Sequence, residues 1–462
     1  MDTDLLVDLL HTLDAPQWRY KHIESYYTGT QPLSYLSPEA RVALGERFAR
    51  MVSNLPRLAV TSLAERLRIT GFAGADVWPN WLRLDLDQLS AVAIREALLF
   101  GQSFVIVWSD AAGRPLATIE SPKQVAVIAD PGTRTVTSAV KRWRTQTTTE
   151  AVVYLPDQII RLRADTPGAA TSGFYVIETL DNPIGVVPVV PVRNTDLISV
   201  YYPNANGVTD VGHSEIADLM PLVDGLAKLL TDLMVTSEYV GRPRRWATGV
   251  ELVERPIIDS DGNPVVDEDN NPVVETVSPF PEGDRLMTAE SEQARFGQLE
   301  AANLDGYQNA VAVIMQQISA VSALPAHMLG ITTALPPSAD AIRAAEAAIT
   351  ARAEQRQQTF GRAWEAVARL LVAVRDGVDP ASVQVRVQWA AADTSSVAAE
   401  ADATVKLFQA GLLPASYALQ KLGYSADEIE AIRAARTADA TNHTSPPLNG
   451  PQNANQGQES ED

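Results

Sequence analysis

The chain has 462 residues, of which 46% are hydrophobic and 20% charged, and this composition excludes general disorder and predicts a globular protein. At about 100–200 residues per domain, its length allows roughly two to four domains. The 57 acidic and 37 basic residues leave a formal charge of −20 at pH 7, which excludes tight wrapping of nucleic acid because such wrapping requires a basic surface.

Several familiar features are missing from the sequence. Cysteine is absent, which excludes disulfides, thiolate metal sites and cysteine nucleophiles, and no two of the five histidines have the i, i+4 spacing of a helical metal site. Asp2 and Asp4 stand where a signal peptide would carry positive charge, and Pro188 and Pro191 interrupt the longest apolar run. We therefore expect a soluble protein that is not secreted by a cleaved signal.

The first hundred residues are predicted to be mainly helical. Pro38 follows Ser37 at the expected start of one helix, whose apolar positions continue to Leu55 and stop before Pro56. A further helix is expected over residues 86–100.

Residues 103–193 contain short β-rich runs separated by Gly, Pro and Asp, which predict a small antiparallel β unit. The expected strands are residues 104–108, 125–128, 136–143, 151–155, 159–163 and 174–180. Prolines lie between these runs or at their ends, where a missing N–H is tolerated.

Two amphipathic helices are expected next, over residues 214–238 and about 303–323, with an insertion of different character between them. Inside the insertion, Asn263-Pro264-Val265-Val266 recurs at residues 271–274, and the surrounding Asp, Gly and Asn residues predict a hairpin with a polar tip. The second helix is followed by a proline-rich linker, residues 324–337.

The C-terminal part begins with a long helix that Ser338 caps and Gly377 ends. Strict alternation over residues 383–389 predicts a strand. Two or three short helices are expected over residues 396–437, and residues 438–462 have the polar composition of a disordered tail.

The common local signatures of catalysis are absent, including the phosphate-binding P-loop, the dinucleotide-binding glycine motif and the zinc-protease motif. Asp259 begins a sequence like a calcium loop, but Pro264 replaces its glycine and Asn270 its bidentate glutamate, so a solvated turn is the simpler interpretation. A metal-dependent carboxylate hydrolase remains an alternative that no motif favours. We predict that the chain is not an enzyme and holds no cofactor or metal.

A basic and aromatic cluster, Arg242, Arg244, Arg245 and Trp246, opens the insertion. Guanidinium groups form paired hydrogen bonds with phosphates and with carboxylates, so the cluster is a candidate contact for phosphate or for an acidic partner surface. A solvated face is the alternative interpretation.

Several segments together resemble the portal proteins of tailed double-stranded DNA bacteriophages, in particular those of long-tailed phages of actinobacteria. These segments are Tyr26 to Leu33, Gly212 to Ile216 leading to Asp224, Pro243 to Gly249, Pro325 to Gly330, Ser338 to Glu346, and Lys406 to Leu413. The likeness spans nearly the whole chain.

The resemblance implies an α+β portal-type fold in which the segments have established names. They are a mixed α/β wing (1–209), a first stem helix (210–240), a β-containing clip (241–300), a second stem helix (301–323), a tunnel loop (324–337), a long wing helix with a strand (338–395), a helical crown (396–437) and a disordered tail (438–462).

The function implied is that of a homo-oligomeric ring, usually of twelve subunits, at one vertex of the capsid of a virion assembled in the host cytoplasm. Double-stranded DNA would be packaged and ejected through it with weak, sequence-independent contact. The implied partners are a terminase and a head-completion or adaptor protein at the clip, and the major capsid and scaffolding proteins, without a membrane. Arg242, Arg244 and Arg245 would lie near the junction of stem and clip, where they could hold neighbouring subunits or a docking partner. Another ring-forming connector of the virion is the alternative.

Simple geometry is consistent with a ring of twelve subunits that encloses a channel for duplex DNA. Twelve helices side by side at about 10 Å spacing give a ring of roughly 38 Å diameter between helix axes. Subtracting one helix diameter of about 10 Å leaves a bore of roughly 28 Å, which admits duplex DNA with a water layer.

Acidic side chains would suit the lining of such a bore, because they repel phosphates and avoid binding that stalls a moving duplex. The channel-lining candidates are Glu215, Asp218, Asp224, Asp232 and Glu238, with ion pairing between subunits as the alternative.

By the resemblance, the tunnel loop lies nearest the DNA, and uncharged side chains there could move without breaking salt bridges. Its residues are Leu324, Pro325, Ala326, His327, Met328, Leu329, Gly330, Ile331, Thr332, Thr333, Ala334, Leu335, Pro336 and Pro337. An ordinary connector between two helices is the alternative.

Overall fold

The structure is a computed structural model. It describes residues 3–32, 52–130, 132–195, 212–241, 245–249, 253–258, 262–267, 272–277, 293–298, 304–331, 338–393, 397–422, 424 and 426–442. The chain divides into two compact units. The first comprises Met1–Leu335 and Ala348–Ala390, and the second comprises Pro336–Ala347 and Ala391–Asp462.

The N-terminal part is mainly helical, as the sequence predicted. Its elements are α1 (Thr3–Asp14), α2 (Gln17–Thr28), α3 (Leu55–Ala64), β1 (Ile69–Ala73), α4 (Trp78–Arg83) and α5 (Leu86–Phe100). The predicted helix starting at Pro38 falls largely outside the described residues. That helix was predicted to end before Pro56. In the structure Pro56 lies in the first turn of α3, where its missing N–H costs no hydrogen bond.

Antiparallel sheets follow, and each of the six predicted runs lies on a strand. The strands are β2 (Gln102–Ser109), β3 (Pro115–Glu120), β4 (Val125–Ala129), β5 (Val136–Arg144), β6 (Thr149–Tyr154), β7 (Gln158–Ala164), β8 (Tyr175–Asp181) and β9 (Val189–Arg193). Strands β4 to β8 form one sheet in chain order, and a second sheet has the order β3-β2-β9. β3 and β9 were not predicted, and Pro191 lies inside β9 because that strand is an edge strand.

The five-stranded sheet has a hydrophobic core on each of its faces. On one face, the leucines of α1 pack against the strands; they are Leu6, Leu9, Leu10 and Leu13. On the other face, Phe104 and Ile106 of β2 and Val189 of β9 belong to a buried cluster with residues of β4 to β7. The presence of both helices and sheets confirms the mixed composition of the predicted α+β class.

Two helices then pack together, α6 (Met220–Gly241) and α7 (Asp305–Ser322). They are antiparallel, because Thr236 near the end of α6 lies 3.1 Å from the hydroxyl of Tyr307 near the start of α7, and a Cβ on Gly225 would lie 3.4 Å from Ile314. The prediction that the first helix begins at Ser214 was wrong. Residues 215–219 form turns, and the helix begins at Met220.

The described part of the insertion is a nested β ribbon, which confirms the predicted hairpin in outline. Its strands are β10 (Arg245–Thr248), β11 (Val253–Pro256), β12 (Val274–Val277) and β13 (Arg295–Gln298). β10 pairs with β13 and, inside them, β11 pairs with β12. The repeated Asn-Pro-Val-Val segments contribute bridges from Ile258 to Pro264 and from Val266 to Pro272. Asp259 lies outside the described residues.

A helix of 38 residues, α8 (Ala339–Asp376), precedes a turn at Pro380–Ser382 and strand β14 (Arg386–Trp389). The predicted caps are confirmed, since the Ala341 N–H donates to Ser338 Oγ at 3.2 Å and Gly377 has a φ of +66°. β14 begins three residues later than predicted and pairs with β1. Trp364 of α8 packs edge-to-face against Trp81, 5.4 Å between ring centres, and both indoles are fully buried.

The second unit contains α9 (Val397–Gln409), α10 (Ala415–Lys421) and α11 (Ala426–Asn442), which confirms the predicted short helices. The prediction that the disordered tail begins at residue 438 was wrong in its boundary. α11 continues to Asn442, because residues 438–442 include two alanines, the strongest helix former. The rest of the predicted tail lies outside the described residues. Among the described helices, none has the length and apolar character needed to cross a bilayer.

Candidate functional site at the base of the helix pair

Glu215 lies at the centre of a buried ion-pair cluster where the chain enters α6. Its carboxylate accepts from Arg356 Nε at 2.8 Å and lies 2.6 Å from Arg356 Nη2, while Arg352 Nη1 lies 3.6 Å from its other oxygen. The side chains of Glu215 and Arg356 are 8% and 4% exposed. This position corrects the prediction that Glu215 lines a channel, because its charge is already neutralised inside the protomer.

A buried asparagine ties the same segment to the end of the sheet. Asn194 follows β9, and its Nδ2 donates to His213 O at 2.8 Å and to Glu215 Oε1 at 3.0 Å. The backbone N–H of Glu215 donates to Leu98 O of α5 at 2.9 Å. We call Asn194, Glu215, Arg352 and Arg356 the anchor cluster, because together they fix the approach to α6.

Gly212 makes this close approach possible. Its φ is +65°, and a Cβ at this position would lie 2.0 Å from the carbonyl oxygen of Gly101. The N–H of Asn194 also donates to that oxygen at 2.7 Å. A side chain at residue 212 would therefore be strained and would push the chain away from the end of α5.

Arg352, a member of the anchor cluster, also binds the C-terminal end of α7. Its guanidinium donates to Ser322 O at 3.2 Å and to Val321 O at 3.1 Å. These carbonyls belong to the last turn of α7, where a positive charge is favoured by the helix dipole. The start of α6, the end of α7 and the middle of α8 thus meet at one set of charges.

The N-terminal helix α2 holds the next acidic side chain. Tyr26 Oη donates to Asp224 Oδ2 at 2.8 Å, and Arg19 Nη2 donates to Gly212 O at 3.3 Å. Asp224, predicted to line a channel, is therefore half-buried and has a partner within the protomer.

The other predicted lining residues differ in their surroundings. Asp218 has a side chain that is 74% exposed and lies 3.8 Å from His213 Nε2, in the turns before α6. Asp232 forms an ion pair with Lys228 one turn earlier on α6. Glu238 belongs to α6, but its side chain lies outside the described part. Among the predicted lining residues whose side chains are described, Asp218 is the one that is exposed to solvent.

The predicted tunnel loop is described for residues 324–331, and residues 332–337 lie outside the described part. Leu324 and Leu329 are buried, and Ser319 Oγ donates to Leu324 O at 2.7 Å. The Met328 N–H donates to Pro325 O at 3.0 Å. The first half of the predicted loop is therefore a compact turn packed against the molecule.

The predicted arginine cluster is described only in part. Arg245 and Trp246 lie on β10, whereas Arg242 and Arg244 lie outside the described residues. Trp246 is 43% exposed, and a Cβ on Gly297 of β13 would lie 2.4 Å from its indole ring. The indole therefore lies directly over the glycine.

Sequence reasoning missed Arg352, Arg356 and Asn194. A signal for the arginines exists, since buried Ile349, Ala353 and Phe360 share a helix face with Arg356. An arginine within an apolar stripe implies a buried partner. Within the described residues, no group of three His, Asp or Glu side chains lies close enough together to hold a metal ion.

The sequence is similar to known proteins along most of its length. It matches the family described as "Phage portal protein, SPP1 Gp6-like" over residues 8–442. The portal protein of Mycobacterium phage L5 is 29% identical over 433 residues, which cover 87% of this chain and 83% of that protein. The portal protein of Mycobacterium phage D29 is 28% identical over 405 residues, which cover 82% and 77%.

Among solved structures, the chain also matches chains from gene transfer agent (GTA) particles, with TM-scores below 0.5. A chain of the native GTA virion matches with a TM-score of 0.43 at 12% identity, over 87% of this chain and 99% of that chain. A chain of the native GTA neck computed with C12 symmetry matches with a TM-score of 0.44 at 13% identity, over 87% and 98%.

The resemblance to the portal proteins of actinobacterial phages is confirmed by the family match and by both mycobacteriophage relatives. The family match extends over nearly all of the sequence, including the helix pair and the insertion between its helices. The chain belongs to the phage portal protein family, and its function is that of a portal protein.

Proposed function

We propose that this portal protein works as a homo-oligomeric ring of about twelve copies, a number whose bore admits duplex DNA. The ring occupies one vertex of a phage capsid, and double-stranded DNA is packaged and later ejected through its central channel. The match to portal proteins over residues 8–442 is the observation that supports this proposal most strongly.

In this proposal, the parts of the protomer have the roles named for the family. Helices α6 and α7 form the stem, and the β ribbon between them forms the clip. The N-terminal helices with both large sheets form the wing, to which α8 and β14 return, and α9 to α11 form the crown. Residues 324–337 form the tunnel loop.

The geometry of the anchor cluster supports a stem that acts as a rigid unit. The start of α6 and the end of α7 are joined by the charges of Glu215 and Arg352, while the ribbon lies at the opposite end of the pair. A force applied to the ribbon by a docked partner would therefore be transmitted along both helices to α8. We propose that a terminase and a head-completion protein dock at the ribbon, with the arginines at residues 242–245 among the contacts. The capsid and scaffolding proteins contact the outside of the ring.

Weak contact with DNA is part of the proposal. The formal charge of −20 repels phosphates over several ångströms and disfavours stable binding. Asp218 contributes to this repulsion in the channel, and Asp224, Asp232 and Glu238 remain predicted lining residues. The ring is a passive conduit, so we expect the purified chain to hydrolyse no ATP.

Depletion of the chain from the particle that encodes it tests the proposed function. Capsids assembled without the chain should contain no nuclease-protected DNA, and supplying the chain should restore protection. Normal amounts of protected DNA in depleted particles would contradict the proposal.

A further inference from the structure

The face of α7 that points away from α6 carries no charged side chain between its second residue and its end. Its exposed positions recur every three or four residues and so share one face of the helix. We call Asn309, Val313, Gln316, Gln317 and Ala320 the amide strip; all five are exposed. On the opposite face, Tyr307 and Ile314 pack towards α6 and Ile318 is buried.

The lack of charge extends well beyond the helix. Between Asp305 and Asp340 the sequence contains no Asp, Glu, Lys or Arg, although these residues make up 20% of the whole chain. The uncharged segment therefore includes nearly all of α7 and the whole predicted tunnel loop.

Other helices of the same chain show how a solvated face is built in this protein. Exposed positions of α5 include Asp87 and Arg95, and exposed positions of α8 include Glu354 and Arg362. A helix face that meets only water normally carries such charges, because they keep the surface soluble. The amide strip lacks them, which indicates that it faces something other than bulk water.

A second copy of the chain is a poor match for this surface. The cores of permanent interfaces between identical subunits are mainly apolar. Three of the five residues of the amide strip are amides, and the large apolar side chains exposed on α7 are Val313 and, at its end, Val321. The strip is thus too polar for a permanent helix contact and too uncharged for a solvated surface.

We propose that the amide strip is the surface of the stem that faces double-stranded DNA, an inference that rests on the proposed function. Uncharged amides do not neutralise phosphates and so release no counterions, which keeps contact with DNA weak and independent of sequence. They exchange hydrogen bonds with the water around the duplex at little cost. The two described carboxylates of α6 already have partners within the protomer, Asp224 with Tyr26 and Asp232 with Lys228.

Single cysteines test this placement cleanly, because the chain contains no cysteine. The test variant is Gln316→Cys, and Gln358→Cys on α8 is the matched control, an exposed glutamine outside the strip. Each variant is labelled with a photoreactive azidophenacyl group in assembled, DNA-filled particles and then irradiated. Asn309→Cys is a second strip position in case Gln316→Cys particles fail to assemble.

The proposal predicts severalfold more DNA cross-linked at residue 316 or 309 than at residue 358, and loss of these cross-links in emptied particles. Cross-links from residue 316 mainly to another copy of the chain would overturn it, because the strip would then be a subunit contact. Cross-links to DNA from Asp218→Cys but from neither strip position would also overturn it while leaving the channel intact. If none of these positions reached DNA in filled particles, the proposed function itself would fail.

A charge test gives an independent readout. Gln316→Lys places one positive charge per subunit on the strip, and we expect slower packaging that recovers partly as salt is raised, since the added contact depends on counterion release. Gln358→Lys should package at the normal rate at every salt concentration. Equal packaging rates for the two lysine variants would contradict the inference.

Discussion

At the scale of single residues, Glu215 and Arg356 form a contact that joins positions 141 residues apart in the sequence. Both side chains are almost fully buried, so neither can be satisfied by water if its partner is removed. An intact buried ion pair stabilises the fold little more than well-packed apolar residues would. Removing one partner is strongly destabilising, because the other charge stays buried. The pair therefore fixes where α6 begins more than it raises stability.

Replacing Arg356 by methionine should lower the free energy of unfolding by about 3–5 kcal/mol, because it leaves the Glu215 carboxylate buried without its main partner. The measurement is urea unfolding of the full chain. Arg95→Met, at an exposed position of α5, should change stability by no more than about 0.5 kcal/mol. The double variant Glu215→Leu with Arg356→Met should recover part of the loss, and equal stabilities of Arg356→Met and the parent would contradict this account.

A second prediction concerns Glu96 of α5. Burial raises the pKa of Glu96, although a hydrogen bond from Ser121 and the charge of Lys123 oppose the shift. Because the folded state holds the proton more tightly than the unfolded state, stability falls as the pH rises from the ordinary carboxyl range through the raised pKa. Glu96→Gln removes this loss.

The Glu96→Gln variant should therefore be more stable than the parent at pH 7, and the difference should shrink as the pH falls towards 4. Thermal unfolding at a series of pH values measures it. Glu354→Gln, at an exposed position of α8, is the control and should show no such trend. A stability difference for Glu96→Gln that is constant across this pH range would rule out the burial argument.

At the scale of elements, the β ribbon between α6 and α7 depends on a contact between Trp246 and Gly297. A Cβ on Gly297 would lie 2.4 Å from the indole of Trp246. The methyl group added by Gly297→Ala must therefore push this indole away from β13. We expect faster proteolysis within residues 245–298 and little change in the unfolding of the rest of the chain. Gly306→Ala, at a helical position with open space around it, should leave the proteolysis unchanged. Equal cleavage rates for the two variants would show that the indole does not hold the ribbon.

The elements also show which patterns a sequence can and cannot predict. Short β-rich runs bounded by Gly, Pro or Asp, such as β5 and β7, were predicted from their composition and punctuation. β9 was missed because Pro191 argued against a strand, although an edge position tolerates it. The start of α6 was predicted too early because buried Ile216 and Leu219 continue its apolar period through non-helical turns.

The candidate site was less predictable than the elements. The sequence drew attention to the acidic residues, but contacts of Asp224 with α2 and of Glu215 with α8 join positions that are distant in sequence. Periodicity indicates which face of a helix is buried and does not indicate which residue covers it. For this reason Glu215 was predicted to face a channel, whereas Arg356 covers it.

At the scale of the whole molecule, charge is distributed in a way that suits a conduit. The chain as a whole is acidic, with a formal charge of −20, whereas the segment between Asp305 and Asp340 is free of full charges. In the proposed ring, the overall negative charge would repel DNA, and the uncharged segment would offer it few sites for binding.

The central claim is that the chain forms a ring with a central channel, and the native mass of the purified full-length protein tests it most directly. The account predicts, by native mass spectrometry, a mass near twelve or thirteen times 49.9 kDa and, in electron-microscope end views of the same sample, a central hole of roughly 28 Å. A closed particle of similar mass with no central hole would contradict the account, as would a chain that stays monomeric or dimeric even when isolated from assembled particles.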